Sequence, residues 1–136
     1  MILLDTNVIS EALRPSGRAD VLDWLDAQAM ETLYLSTITL AELRFGIAAL
    51  PAGRRQEVLA QRLDQDVLPL FHGRVLPFDT AAADAYGVLR ARARAAGKAV
   101  GVADGYIAAI AMVHGLTVAT RDTGPFEAAG LKVISP

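Results

Sequence analysis

The chain contains no cysteine. That excludes disulfide staples and thiolate metal sites and fits a cytoplasmic location. It has no apolar run of the roughly 18 residues needed to span a bilayer. No basic region precedes the apolar start, and Asp5 interrupts it, so no signal peptide is expected. Histidine is scarce, with two residues, His72 and His114. Neither has a second histidine at ligand spacing, so both read as helix-end or packing residues. An excess of positive charge is missing too. Thirteen Lys and Arg face fifteen Asp and Glu, for a formal net charge of −2 and a pI of about 5.6. General nucleic-acid binders are usually basic. Any nucleic-acid contact here must therefore be local, metal-assisted or partner-assisted.

What is present is apolar residue: 53% of 136 positions. That length predicts one domain, residues 1–136, with a core large enough to need no staples. Repeats, low-complexity tracts and linkers are absent. Ile2 to Leu4 read as a buried strand, and Asn7 to Leu13 as a short helix ended by turn residues at Arg14-Pro15-Ser16-Gly17. Arg18 to Ala29 form a second helix. Leu33 to Leu35 make a strand, and Ser36 or Thr39 opens a helix to about Leu50. Pro51-Ala52-Gly53 breaks it, and Arg54 to Leu68 should form a longer helix. Arg74 to Phe78 read as a strand. Asp79 caps a helix from Thr80 to Ala96, stopped by Gly97. Val102 to His114 are so apolar that their helix should be buried. Leu116 to Ala119 form a strand, Thr123 to Ala129 a turn or short helix, and Lys132 to Ile134 a last strand. This alternation predicts an α/β fold with a mainly parallel sheet covered on both faces.

Four acidic residues interrupt apolar patterns or end strands. Asp5 ends the first strand. Glu42 lies early in the helix after the second. Asp104 enters the apolar helix in its first turn, and Asp122 follows the Thr117–Ala119 strand. In a parallel α/β domain, strand carboxyl ends and the helix starts that follow share one edge, so all four can converge. Converging carboxylates stay ionised only when a cation or hydrogen bonds compensate. Oxygen-only donors suit a hard cation, Mg²⁺ or Mn²⁺. Capping alone also accounts for three of them. Asp5 can cap the first helix, Glu42 can complete a capping box with Thr39, and Asp122 can cap the turn at Thr123. Asp104 has no such explanation.

Four segments, in order, carry a resemblance. They are Ile2-Leu3-Leu4-Asp5-Thr6-Asn7-Val8-Ile9-Ser10-Glu11, Ser36-Thr37-Ile38-Thr39-Leu40-Ala41-Glu42-Leu43-Arg44-Phe45-Gly46-Ile47, Ala103-Asp104-Gly105-Tyr106-Ile107-Ala108-Ala109 and Val118-Ala119-Thr120-Arg121-Asp122-Thr123-Gly124-Pro125-Phe126. Together they resemble PIN-domain ribonuclease toxins of the VapC family, particularly the FitB branch. The resemblance implies a three-layer α/β/α PIN-like fold and Mg²⁺- or Mn²⁺-dependent cleavage of RNA. The cleavage would be an in-line attack of an activated water, leaving 5′-phosphate and 3′-hydroxyl ends. It makes Asp5, Glu42, Asp104 and Asp122 the metal-binding and catalytic set, with Thr6, Asn7 and Thr120 in support. It implies a VapB-like antitoxin, operator DNA reached through that antitoxin, a homodimer and no membrane. One departure stands out. Many chains of this type carry Asn after the Thr-Arg pair and an acid three positions later, where this chain has Asp122 and Pro125. One tightly held metal is therefore expected, with a second binding only with substrate. The alternative is a catalytically weak regulatory subunit that acts through its DNA-binding partner.

Other residues admit two readings. Arg90, Arg92, Arg94 and Lys98 form a solvated helix face or an approach for RNA phosphates. Arg44 and Arg121 sit beside acidic positions, which they can neutralise, or they can touch phosphate. Trp24 and Phe45 read as core or interface. Ile9, Leu13, Leu43, Phe45 and Ile47 form a patch for an antitoxin or second subunit, or ordinary core.

Overall fold

The computed structural model describes all 136 residues. Five strands form one sheet: β1 (Ile2–Leu4), β2 (Leu33–Ser36), β3 (Val75–Leu76), β4 (Thr117–Ala119) and β5 (Val133–Ile134). Their order is β3-β2-β1-β4-β5, and every pairing is parallel. The strand order reverses direction at the β1–β4 pair. In open α/β sheets the crevice for ligands opens at that point, outside the strand carboxyl ends.

Side-chain alternation along the short strands builds the two outer layers. Leu4, Leu33, Leu35 and Ala119 point to one face. There they pack with α1 (Thr6–Leu13), α2 (Ala19–Asp26), α3 (Thr37–Ala48) and α4 (Arg54–Arg62). Leu3 and Val118 point to the other. They meet α5 (Thr80–Ala95), α6 (Val102–His114) and α7 (Gly124–Ala128). The result is the expected three-layer α/β/α arrangement.

Three expectations need correction. The predicted Arg54–Leu68 helix is α-helical only to Arg62. It then widens into a π-turn (Leu63–Val67) and tightens into a 3₁₀ turn (Leu68–Phe71). The Leu68 N–H donates to the Leu63 carbonyl five residues back. Pro69 has no N–H with which to extend an α ladder. The irregular segment puts Leu63, Val67 and Phe71 into the core. The strand expected over Arg74–Phe78 shrinks to two residues at the sheet edge, where Arg74 spends its guanidinium on the Leu33 and Leu70 carbonyls. Finally, α6 is apolar all round but is not buried all round, because Val102, Met112 and Val113 reach solvent.

Two features of α6 place the site. Gly115 ends it in the left-handed region, with φ of 65°, a conformation glycine adopts without a Cβ penalty. The chain then enters the amino end of β4 almost at once, so the amino end of α6, with Asp104, lies toward the strand carboxyl ends. Gly105 is fully packed. A Cβ there would meet the Tyr86 ring at 2.8 Å, so glycine allows α5 and α6 to close.

Candidate active site

Asp5 follows β1 directly and is only 5% exposed. Its backbone N–H continues the sheet, donating to the Ala119 carbonyl. Its carboxylate is held from both sides. The Thr6 N–H donates to Oδ1 at 2.8 Å, and the Thr120 hydroxyl donates to Oδ2 at 2.8 Å. The cap reading of Asp5 is thus correct, and the cap also fixes the rotamer of a buried acid.

Thr120 is fully buried. With its proton given to Asp5, its oxygen accepts the Asp122 N–H at 3.0 Å and the Asn7 amide at 3.3 Å. Asn7 Oδ1 in turn accepts the Arg121 N–H at 3.1 Å. Asn7 and Thr120 thereby tie the start of α1 to the β4–α7 loop. That loop carries Asp122.

Glu42 stands on α3 facing the same opening. The Thr6 hydroxyl donates to its Oε1 at 2.7 Å and lies 3.2 Å from the hydroxyl of buried Thr39. The capping-box reading of Thr39 and Glu42 fails. Ser36 is the N-cap, and its Oγ accepts the Thr39 N–H at 3.0 Å. Asp122 does not cap α7 either, since Thr123 occupies that position without a side-chain bond. Thr39 is a supporting residue missed in the sequence. Its only signal there was the Thr39-x-x-Glu42 spacing, which suggested a cap instead.

The electrostatics join the four acids. Burial is the main cause that pushes the Asp5 carboxyl up to about 6; bonds from Thr120 and Thr6 oppose it, and the charges of Asp104 and Glu42 add to it. Burial also raises Asp104, helped by the charges of Asp122 and Glu42. The structure therefore brings all four together on one edge. None of the four is ion-paired. The ion pairs of the chain involve Glu11, Asp20 and Asp64 instead. Arg44, expected to neutralise the site, pairs with Asp64 at 2.6 Å.

The donor set fits a hard divalent cation: four carboxylates, none of them ion-paired, with hydroxyls around them. No three of these acids are gathered at direct ligating distance. Mg²⁺ usually keeps several waters, so ligation partly through water needs no tighter cluster. Pro125 lies in the first turn of α7, where a missing N–H costs nothing because that turn has no helical acceptor for it.

The sequence matches the PIN domain over residues 2–131. It is 64% identical over all 136 residues to the plasmid stability protein StbB of Pseudomonas syringae pv. tomato, covering 98% of that protein. It is 60% identical, again over its full length, to the VapC ribonuclease Y4jK of Sinorhizobium fredii, covering 97% of it. Its fold superposes on a chain of FitAcB from Neisseria gonorrhoeae with a TM-score of 0.96 and 56% identity, covering 100% of this chain and 98% of that one. A chain of FitAB bound to a DNA fragment gives 0.94 and 54%, over 98% and 94% of the two chains.

Proposed function

The chain belongs to the PIN-domain family, and on that premise we propose that it is the ribonuclease toxin of a type II toxin–antitoxin pair. Asp5, Glu42, Asp104 and Asp122 would hold its Mg²⁺ or Mn²⁺. One observation carries the reading. Four acids from four segments meet at the sheet's switch point: the charges of Asp104 and Glu42 help raise Asp5, those of Asp122 and Glu42 help raise Asp104, and none of the four is ion-paired. The name of one relative, a VapC ribonuclease, supports RNA as substrate, and that of another, the toxin FitB of Neisseria gonorrhoeae, supports the toxin role.

We assign Asp5 and Asp104, the more buried pair, as principal ligands. The exposed Glu42 and Asp122 would reach the cation through water or orient the attacking water. The cation would supply charge neutralisation at the phosphate and a more acidic water. The chain's own part is positioning. Thr6 and Thr120 lock Asp5, Thr6 also steers Glu42, and Thr120 and Asn7 hold the loop bearing Asp122.

Pairing with a VapB-like antitoxin follows from the same family. A groove of about 280 Å³ runs from Thr6 and Glu42 over Leu43, Ile47 and Leu50 to Arg14 and Arg55. Its acidic mouth and apolar floor suit an antitoxin segment with apolar anchors and one basic residue. Of the patch read from sequence, Ile9, Leu13 and Leu43 are core, whereas Phe45 is 74% exposed and free to be covered. Operator DNA would be bound by the antitoxin, consistent with this chain's net charge of −2. A homodimer and a cytoplasmic location complete the proposal.

Antitoxin-free protein incubated with a panel of structured RNAs should cut only with Mg²⁺ or Mn²⁺ and leave 5′-phosphate ends. Folded protein that cuts none of them with any divalent metal would favour the regulatory-subunit reading.

A further inference from the structure

The segment from Tyr86 to Ala103 carries Arg90, Arg92, Arg94 and Lys98 and no acid. None of these cations has a carboxylate partner. Arg90, Arg94 and Lys98 line one open cavity of about 400 Å³ with the loop Gly97–Val100. Unpaired arginines around a concavity differ from the alternating charges of a merely solvated helix face.

Two contacts fix this cavity relative to the acidic site. The Arg90 guanidinium donates to the Tyr86 hydroxyl and sits 5.7 Å from the centre of its ring. Tyr86 packs against Gly105, the neighbour of Asp104. On the other side, Lys98 and Ala99 border a second depression shared with Gly124 and Glu127 of α7, just after Asp122. The cationic cavity thus lies between the elements that deliver Asp104 and Asp122.

We propose that Arg90, Arg94 and Lys98 form a subsite for a backbone phosphate of the RNA strand, next to the phosphate being cut. The proposal rests on the ribonuclease reading above. A four-carboxylate centre repels a polyanion, and an adjacent cationic pocket offsets that repulsion and sets the strand's register. Arginine presents planar, paired donors to phosphate oxygens. Arg90 arrives already oriented by Tyr86, so less side-chain freedom is lost on binding. Phosphate contacts of this kind position a strand without reading its bases.

The test uses the full-length, antitoxin-free protein and Arg94→Ala/Lys98→Ala, whose side chains are exposed and outside the carboxylate network. Anisotropy of a labelled single-stranded RNA in Ca²⁺ reads binding without requiring cleavage. The double variant should bind about tenfold more weakly, and its slope of log K against log salt should be shallower by about 1.4, two contacts at roughly 0.7 each. Melting temperature and Mn²⁺ affinity should be unchanged, and in cleavage KM should rise while kcat holds. An unaltered affinity and salt slope would overturn the subsite, whether or not the wild-type protein cuts RNA. Loss of operator binding by the toxin–antitoxin complex, with RNA binding intact, would assign the cavity to DNA and equally overturn it. If the wild-type protein binds RNA and the variant loses that binding while neither cuts, the subsite stands and the nuclease reading falls.

Discussion

At the scale of single residues, Asp5 costs the fold stability that the site requires. Its carboxyl titrates near 6 instead of the ordinary 3.8, mainly because of burial. At 1.36 kcal/mol per unit, the ionised form destabilises the metal-free protein by about 3 kcal/mol. The folded protein binds this proton more tightly than the unfolded chain. The cost is therefore complete above pH 6 and fades as the pH falls toward about 4. Asn retains the capping ability of Asp. Asp5→Asn should accordingly raise stability at pH 8, without metal, by about 1–3 kcal/mol, and the gain over wild type should shrink at pH 5. Urea unfolding at the two pH values measures this, and a variant less stable at pH 8 would contradict it. Thr120 works the other way. Thr120→Val keeps the shape but removes the donor to Asp5 Oδ2, costing about 1–2 kcal/mol of carboxylate stabilisation. Calorimetric titration should show Mn²⁺ bound about tenfold more weakly, and an unaltered isotherm would dismiss the role.

At the scale of elements, helix ends and close approaches explain what holds the site. Gly105→Ala would drive a methyl into the Tyr86 ring at 2.8 Å. Overpacking of this kind costs about 1–3 kcal/mol, and because the strain falls beside Asp104, metal affinity should drop along with the melting temperature. Asp79→Ala removes the cap that accepts the Ala82 N–H at 2.9 Å. That change should cost about 1 kcal/mol and leave Mn²⁺ affinity untouched, since α5 carries none of the four acids. A calorimetric scan and a metal titration on both variants separate the two cases.

The elements also show how far the sequence could be read. The β1 and α6 boundaries were legible because hydrophobic runs end in residues with one physical meaning, Asp5 and Gly115. The four acids were legible because each breaks an apolar pattern or follows the end of a strand. The π-turn at Leu63–Val67 was not. Leu63, Val67 and Phe71 keep the i, i+4, i+8 spacing of an ordinary helix, so nothing local in the sequence marks the wider turn. Phe45 was equally opaque, because its neighbours have core spacing and only the packed fold shows that it points outward. The hydroxyl ladder from Thr39 through Thr6 to Glu42 joins residues 36 positions apart, a distance that local motifs cannot bridge.

At the scale of the whole molecule, strand order does most of the work. Placing β1 beside β4 joins the first and last thirds of the chain, so Asp5 and Thr120 meet across 115 positions. Glu42 enters from the helix after β2, and Asp104 from the helix before β4. The fold thus concentrates negative charge at one edge of a protein whose net charge is only −2, and a divalent cation there would relieve repulsion instead of adding to it. Protons and metal must compete for that edge, so Mn²⁺ affinity should fall as the pH drops below about 6, following the Asp5 titration. Calorimetry at pH 8 and pH 5.5 reads this directly.

The central claim is that these four acids form one cation site. Its most direct test is a Mn²⁺ titration of the antitoxin-free protein at pH 8, followed by electron paramagnetic resonance, for the wild type, Asp5→Asn and Asp104→Asn. The account predicts one tightly bound ion per chain in the wild type and its loss in both folded variants. Tight binding that survives in both would contradict it.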